Sequence, residues 1–224
     1  AIENPLSRPE NLLTSREGTK YLLVTDPEAP RTEVGLMIID REPDKRKRDL
    51  DYIRDGYVTS LMNNMMNNRF NEIVQKGTPP FVAGGLSYSS DLPRNYNALT
   101  LAAYANEGQE AKGFEAALTE LERARRHGFT QGELNRARAE MLSDFENLYK
   151  QKDKISNDEW ASKIRDHFLT GERLISLDLQ YDYYKKILPG ISEKGVNSRL
   201  QVLVKDDNRF VYVQGPDDRE RMTE

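Results

Sequence analysis

The sequence predicts an α+β domain, a largely antiparallel sheet covered by helices, in the order ββ-α-ββ-ααααα-β. Three observations carry that prediction. Two pairs of strand-like segments each flank a turn-rich stretch, and one long apolar stripe at helical spacing separates the pairs. A run of capped helical patterns then precedes a lone terminal strand, the composition of a helix-on-sheet layer fold.

The first strand is YLLVT (21–25), followed by the turn-rich DPEAPR and by TEVGLMIID (32–40), where Val34, Leu36 and Ile38 alternate as in a half-buried strand. These two are expected to form a hairpin. The mixed-sign run DREPDKRKRD (40–49) reads as a solvated loop and helix entry. A helix over 48–75 follows, its stripe made by Leu50, Ile53, Tyr57, Leu61, Met65, Met66, Phe70, Ile73 and Val74. The methionines there read as adaptable core filling. Gly77, Pro79 and Pro80 end the helix. Strands FVAGGLSYSS (81–90) and YNALTLAAYA (96–105) are joined at DLPRN as a second hairpin.

Five helices come next. Phe114, Ala117, Leu118 and Leu121 mark one; Leu134, Ala137, Met141, Phe145 and Leu148 mark another. Trp160, Ile164 and Phe168 mark a third, and Leu177, Tyr181, Tyr184 and Ile187 a fourth. Ser192 is placed to cap a fifth that carries Val196, Leu200 and Leu203 inward. The strand RFVYVQG (209–215) closes the order.

Composition narrows the function classes. Of 224 residues, 37% are apolar and 31% charged, as in a well-solvated globular protein. The net charge of −4 argues against nucleic acid as a partner, since phosphate backbones need a basic face. No apolar run approaches the roughly 18–20 residues of a membrane span, so no membrane partner is expected. With no cysteine, disulfides, thiolate zinc sites and cysteine nucleophiles are excluded. Residues 1–19 read as a linker from a preceding domain, 20–215 as one domain, and 216–224 as the start of a linker onward. A domain taken from a longer polypeptide is the expectation.

The stretch RRHGFTQGELNRARAEML (125–142) places a histidine and a glutamate close together. A zinc site on a helix would need two histidines on one face and an acid acting as base. The only histidines, His127 and His167, lie 40 residues apart. A helix joint accounts for every residue instead. His127 suits the negative end of a helix dipole, and Gly128 can take the left-handed C′ conformation. Thr130 and Glu133 then make a Thr-x-x-Glu capping box. Metal ligands and catalytic residues are expected to be absent from this chain, and the isolated chain is expected neither to cut peptides nor to bind zinc.

The same stretch, followed by a long helix, resembles a junction in the pitrilysin/insulinase family of zinc metallopeptidases. TDPEAPRTEVGL, the helix end MNNMMNNRFNEI, and PPFVAGGLSYSS followed by a second strand agree with it, over residues 20–215. The resemblance implies an antiparallel sheet flanked by helices, in a domain repeated within a chambered protease. Its catalytic domain carries an inverted His-x-x-Glu-His motif that this sequence lacks. The chain therefore resembles a non-catalytic domain of a larger zinc metallopeptidase, the zinc being held by another domain of the same polypeptide. A domain of a catalytically dead homologue, serving as scaffold or assembly subunit, is the alternative. On compartment, bacterial periplasm or export is favoured over the cytoplasm.

In the family's other half, an arginine and a tyrosine after the long helix contact the substrate backbone. In NRFNEIVQKGTPPF, Arg69 comes too early and Phe81 stands where a tyrosine hydroxyl is wanted, so neither role carries over. Arg69 is expected to pair with a neighbouring acid or to cap a helix end. Family members can also anchor a peptide by adding it to a strand, and the counterpart is Gly84, Gly85, Leu86 and Ser87. The glycines leave room for another backbone there; a plain bulge at Gly84–Gly85 is the other reading.

Overall fold

The computed structural model describes residues 13–41, 49–89, 92, 96–218 and 220–222. Its elements follow the expected order. They are β1 (Thr19–Thr25), β2 (Glu33–Arg41), α1 (Leu50–Val74), β3 (Phe81–Ser89) and β4 (Tyr96–Ala105), then α2 (Glu110–His127) and α3 (Gln131–Lys150). After these come α4 (Asn157–Thr170), α5 (Leu177–Ile187), α6 (Glu193–Leu203) and β5 (Arg209–Gly215). Parts of the loops expected at 40–49 and 90–95 lie outside the described residues, as do residues 1–12 of the expected linker.

The sheet runs β1-β5-β2-β4-β3. Three of its ladders are antiparallel, and β1 lies parallel to β5. The second hairpin, β3–β4, forms as expected. The first does not, because β5 inserts between β1 and β2. The reason is legible in VGLMII (34–39), apolar at both parities as a central strand requires, which pairs with β4 on one side and β5 on the other. The turn after β1 steps across the end of β5, where the Asp26 N–H donates to the Gly215 carbonyl (3.0 Å).

One face of the sheet carries Val34, Leu36, Ile38, Leu86, Leu99, Leu101, Ala103 and Val213, all but sealed from solvent. Against it α1 packs Leu61, Met62, Met65, Met66 and Phe70, with Leu121, Leu134, Val196 and Leu200 from the later helices. Met65 and Met66 are thus core filling, as expected. The stripe's first member, Leu50, is by contrast 54% exposed. On the opposite face the Tyr212 ring lies over Gly35, where a Cβ would come within 2.5 Å of the Leu101 carbonyl oxygen.

The helix of Trp160, Ile164 and Phe168 forms, yet that stripe stays exposed, at 38%, 54% and 80%. Aromatic rings join α5 to the bundle instead: Tyr184 lies 4.4 Å from Tyr57 and 4.3 Å from Phe145, centroid to centroid. Beyond β5, Arg221 packs back on the domain. Its buried guanidinium donates to Glu110 Oε1 (3.0 Å), Thr32 Oγ1 (3.0 Å) and the Pro216 carbonyl (2.8 Å).

Candidate functional site: the helix joint and the β3 edge

The joint between α2 and α3 is built from the residues the sequence singles out, with two partners from elsewhere. Glu133 N–H donates to Thr130 Oγ1 (3.3 Å) and Thr130 N–H donates to Glu133 Oε2 (2.6 Å), a complete capping box. Gly128 departs from the expectation in one respect. Its φ of 76° is positive, but its ψ of −175° is extended rather than left-handed helical. That region is essentially reserved for glycine. A Cβ there would also sit 2.6 Å from Asn197 Nδ2. Asn197, on α6, clamps the next residue: it accepts from the Phe129 N–H (2.7 Å) and donates to the Phe129 carbonyl (3.2 Å).

Arg69 reaches this joint from α1. Its Nε donates to Glu133 Oε1 (2.6 Å), Nη2 to Glu133 Oε2 (3.1 Å) and to the Gly128 carbonyl (2.9 Å), and Nη1 to Glu120 Oε1 (3.2 Å). The guanidinium also lies 4.8 Å from the centre of the Phe129 ring. Burial pushes the Glu133 carboxyl up, but the Arg69 guanidinium and the Thr130 amide and hydroxyl outweigh it and hold it at about 2. Both expectations for Arg69, an acid partner and a helix end, are met by the one side chain. Phe81 is fully buried, its ring edge-on to Phe70 at 5.9 Å.

His127 ends α2 as an exposed side chain, and His167 lies on α4 with Nδ1 2.6 Å from the Glu172 carbonyl oxygen. Among the described residues no three His, Cys, Asp or Glu side chains converge as a metal site.

Gly84, Gly85, Leu86 and Ser87 lie together on β3, one of the two edge strands of the sheet. The bulge falls between Phe81 and Ala83, not at the glycines. The glycines are spaces for other side chains: a Cβ on Gly84 would meet the Phe81 ring at 3.0 Å and the Phe70 ring at 3.3 Å, and one on Gly85 would meet Asn67 Oδ1 at 3.3 Å.

The edge itself is partly occupied. Leu86 N–H donates to Asn67 Oδ1 (2.7 Å) and Tyr88 N–H to Asn63 Oδ1 (3.2 Å), both acceptors on α1. Backbone groups alternate along an antiparallel strand, so Gly84, Leu86 and Tyr88 face the open side while Gly85 and Ser87 face β4. Of the four expected residues, Gly84 alone turns its backbone outward with no asparagine partner. The asparagines went unnoticed in the sequence, although their signal is present. Residues four apart on a helix rise about 6 Å, close to the roughly 6.6 Å between alternate residues of a strand. Asn63 and Asn67 in MNNMMNNRFNEI therefore match successive outward amides of β3.

No family model matches the chain. Over 183 residues, 82% of the chain, it is 25% identical to a zinc protease PQQL-like protein of Arabidopsis thaliana, and it spans 16% of that relative. A probable zinc protease PqqL of Escherichia coli is 22% identical over 176 residues, and the chain spans 19% of it. In structure, 96% of the chain superposes on the first half of the periplasmic protease PqqL from E. coli, with a TM-score of 0.84 at 18% identity, covering 46% of that chain. A peptidase M16 inactive domain from Pseudomonas fluorescens matches with a TM-score of 0.63 at 14% identity, over 99% of this chain and 49% of that one. In each case the matching segment is part of something longer. The chain is thus similar in sequence to part of PqqL-type zinc proteases and shares the fold of the first half of PqqL and of a peptidase M16 inactive domain.

Proposed function

We propose that this chain is a non-catalytic domain of a larger zinc metallopeptidase, which shapes the surface that holds peptides and leaves the cleavage to a zinc domain of the same polypeptide. The observation that carries this is the contrast within one chain. The fold is that of a protease domain, while the only two histidines lie on different helices, one at a helix end beside a capping box. The periplasmic location in the name of the E. coli structure supports export for the parent protein as well.

Within that role, the outer edge of β3 holds an extended peptide, beginning at Gly84. Edge strands bind peptides through backbone hydrogen bonds, with side-chain pockets adding selectivity. Gly84 presents a backbone without a side chain, next to the exposed Val82 and ahead of the amides that Asn67 and Asn63 occupy. Leu86, Gly85 and Ser87 then position this edge rather than meet the peptide backbone. Hydrogen exchange tests the assignment, in the parent protease with its catalytic glutamate replaced. A long peptide substrate should slow exchange at Gly84, and a short one should not. Equal exchange at Gly84 with and without the long peptide would reject strand addition at this edge.

A further inference from the structure

The two edges of the sheet are built differently. On β3 the outward amides of Leu86 and Tyr88 are capped by side chains of α1. On β1 no such cover exists among the described residues. The Gly18 carbonyl accepts from Arg209 N–H (3.3 Å) and Asp26 N–H donates to the Gly215 carbonyl (3.0 Å), so the even-numbered residues between them face β5. Thr19, Tyr21, Leu23 and Thr25 accordingly turn their backbone N–H and C=O groups to the open side.

The side chains of this strand are also half-open. Leu22, Leu23 and Val24 are 52%, 41% and 40% exposed, and consecutive residues point to opposite faces. Apolar surface is thus exposed above and below the same edge. The usual devices that blunt an edge are charged side chains, above all lysine, with proline, bulges or a covering helix. Of these TKYLLVT carries one, Lys20, near its N-terminal end and ahead of Leu22, Leu23 and Val24.

We propose that the open edge of β1 is completed by an extended, apolar strand from the flanking part of the parent polypeptide. This rests on the reading of the chain as one domain of a longer protease. Two observations select that occupant. Relatives are far longer than this chain, which spans 16% and 19% of the two curated ones. And because Leu22 and Val24 lie on one face and Leu23 on the other, the added strand must bring apolar side chains at consecutive positions. A near-continuous apolar run of this kind belongs inside a folded protein.

Residue-resolved hydrogen exchange on the parent polypeptide tests the proposal. Tyr21 and Leu23 amides should exchange as slowly as those of Leu22 and Val24, which β5 already protects. Leu23→Pro removes an outward N–H without breaking a bond to β5, and edge positions of this kind tolerate proline. In that variant Tyr21 should lose its protection while Leu36 in the sheet centre keeps its own. Exchange at Tyr21 and Leu23 about a hundredfold faster than at their neighbours, the behaviour of an open edge, would overturn the proposal in the unsubstituted protein. Protection that rises with protein concentration would overturn it too, since a second copy would then be the occupant. A gene encoding no flanking domain would instead remove the reading on which it rests.

Discussion

Replacing Arg69 with methionine is expected to be among the most damaging single changes in the chain. The side chains at stake are largely sealed: Arg69 is 12% exposed, Glu120 9% and Glu133 16%. Methionine keeps much of the aliphatic bulk but removes four hydrogen bonds, two of them to Glu133. Glu133 would retain its Thr130 partners, and among the described residues Glu120 would retain Arg123 at 3.5 Å, which is 64% exposed. Stranding a buried charge by removing one partner costs about 3–5 kcal/mol. The retained caps place Arg69→Met near the lower end, about 3 kcal/mol.

The carboxyl sets an upper bound. Lowering Glu133 from 4.5 to about 2 corresponds to at most about 3 kcal/mol, shared between Arg69 and the Thr130 amide and hydroxyl, so only part of it is lost with Arg69. Because the folded value is depressed, this contribution is fully present above pH 4.5 and is lost as pH falls from 4.5 toward 2. The deficit of Arg69→Met should therefore be constant near neutrality and shrink over that acid window. Urea midpoints for both proteins at several pH values, with unchanged slopes, measure it. Arg123→Ala is the control and should cost under about 1 kcal/mol, as exposed pairs do. A cost for Arg69→Met within about 1 kcal/mol of that control, or a deficit that grows as pH falls below 4.5, would show the network to be decorative.

Five further substitutions have outcomes set by the structure. Gly128→Ala should cost about 2–3 kcal/mol, combining a glycine-only conformation with the Asn197 clash. Thr130→Ala should cost about 0.5–2 kcal/mol, and His127→Gln only a few tenths, on the scale of an exposed helix-dipole interaction; denaturant midpoints that place His127→Gln first would contradict the joint. Asn67→Ala should cost about 1–3 kcal/mol by leaving the Leu86 N–H without its acceptor, and exchange at Leu86 should accelerate while exchange at Leu101 does not. Gly35→Ala puts a Cβ 2.5 Å from the Leu101 carbonyl oxygen and should destabilise by about 1–3 kcal/mol through overpacking, read as a lower urea midpoint at unchanged slope.

Much of this architecture was legible because it is written in local patterns. The α1 stripe, the Thr130–Glu133 box and the β3–β4 hairpin each depend on residues close in sequence, and each forms. The placement of β5 between β1 and β2 depends on which strands satisfy both edges of β2, a choice made across most of the chain length. Its one local hint was the unbroken apolar run of β2. An acid partner for Arg69 is expected from its position, but the partners themselves, Glu120 and Glu133, lie 51 and 64 residues away. The asparagine ladder on α1 shows another kind of gap. Its spacing was visible, but the strand amides that give it meaning become neighbours only when α1 lies along β3. The Trp160, Ile164 and Phe168 spacing is helical and the helix forms, yet periodicity does not say what a helix packs against.

The central claim is that this chain serves a zinc protease without holding its metal or performing its chemistry. Replacing both His127 and His167 with glutamine in the parent polypeptide tests it most directly, with zinc content measured by mass spectrometry and peptide cleavage measured on the same preparation. Zinc content and cleavage rate equal to those of the unsubstituted protein are the predicted result. Loss of zinc together with cleavage, in a variant whose unfolding midpoint is unchanged, would contradict the account.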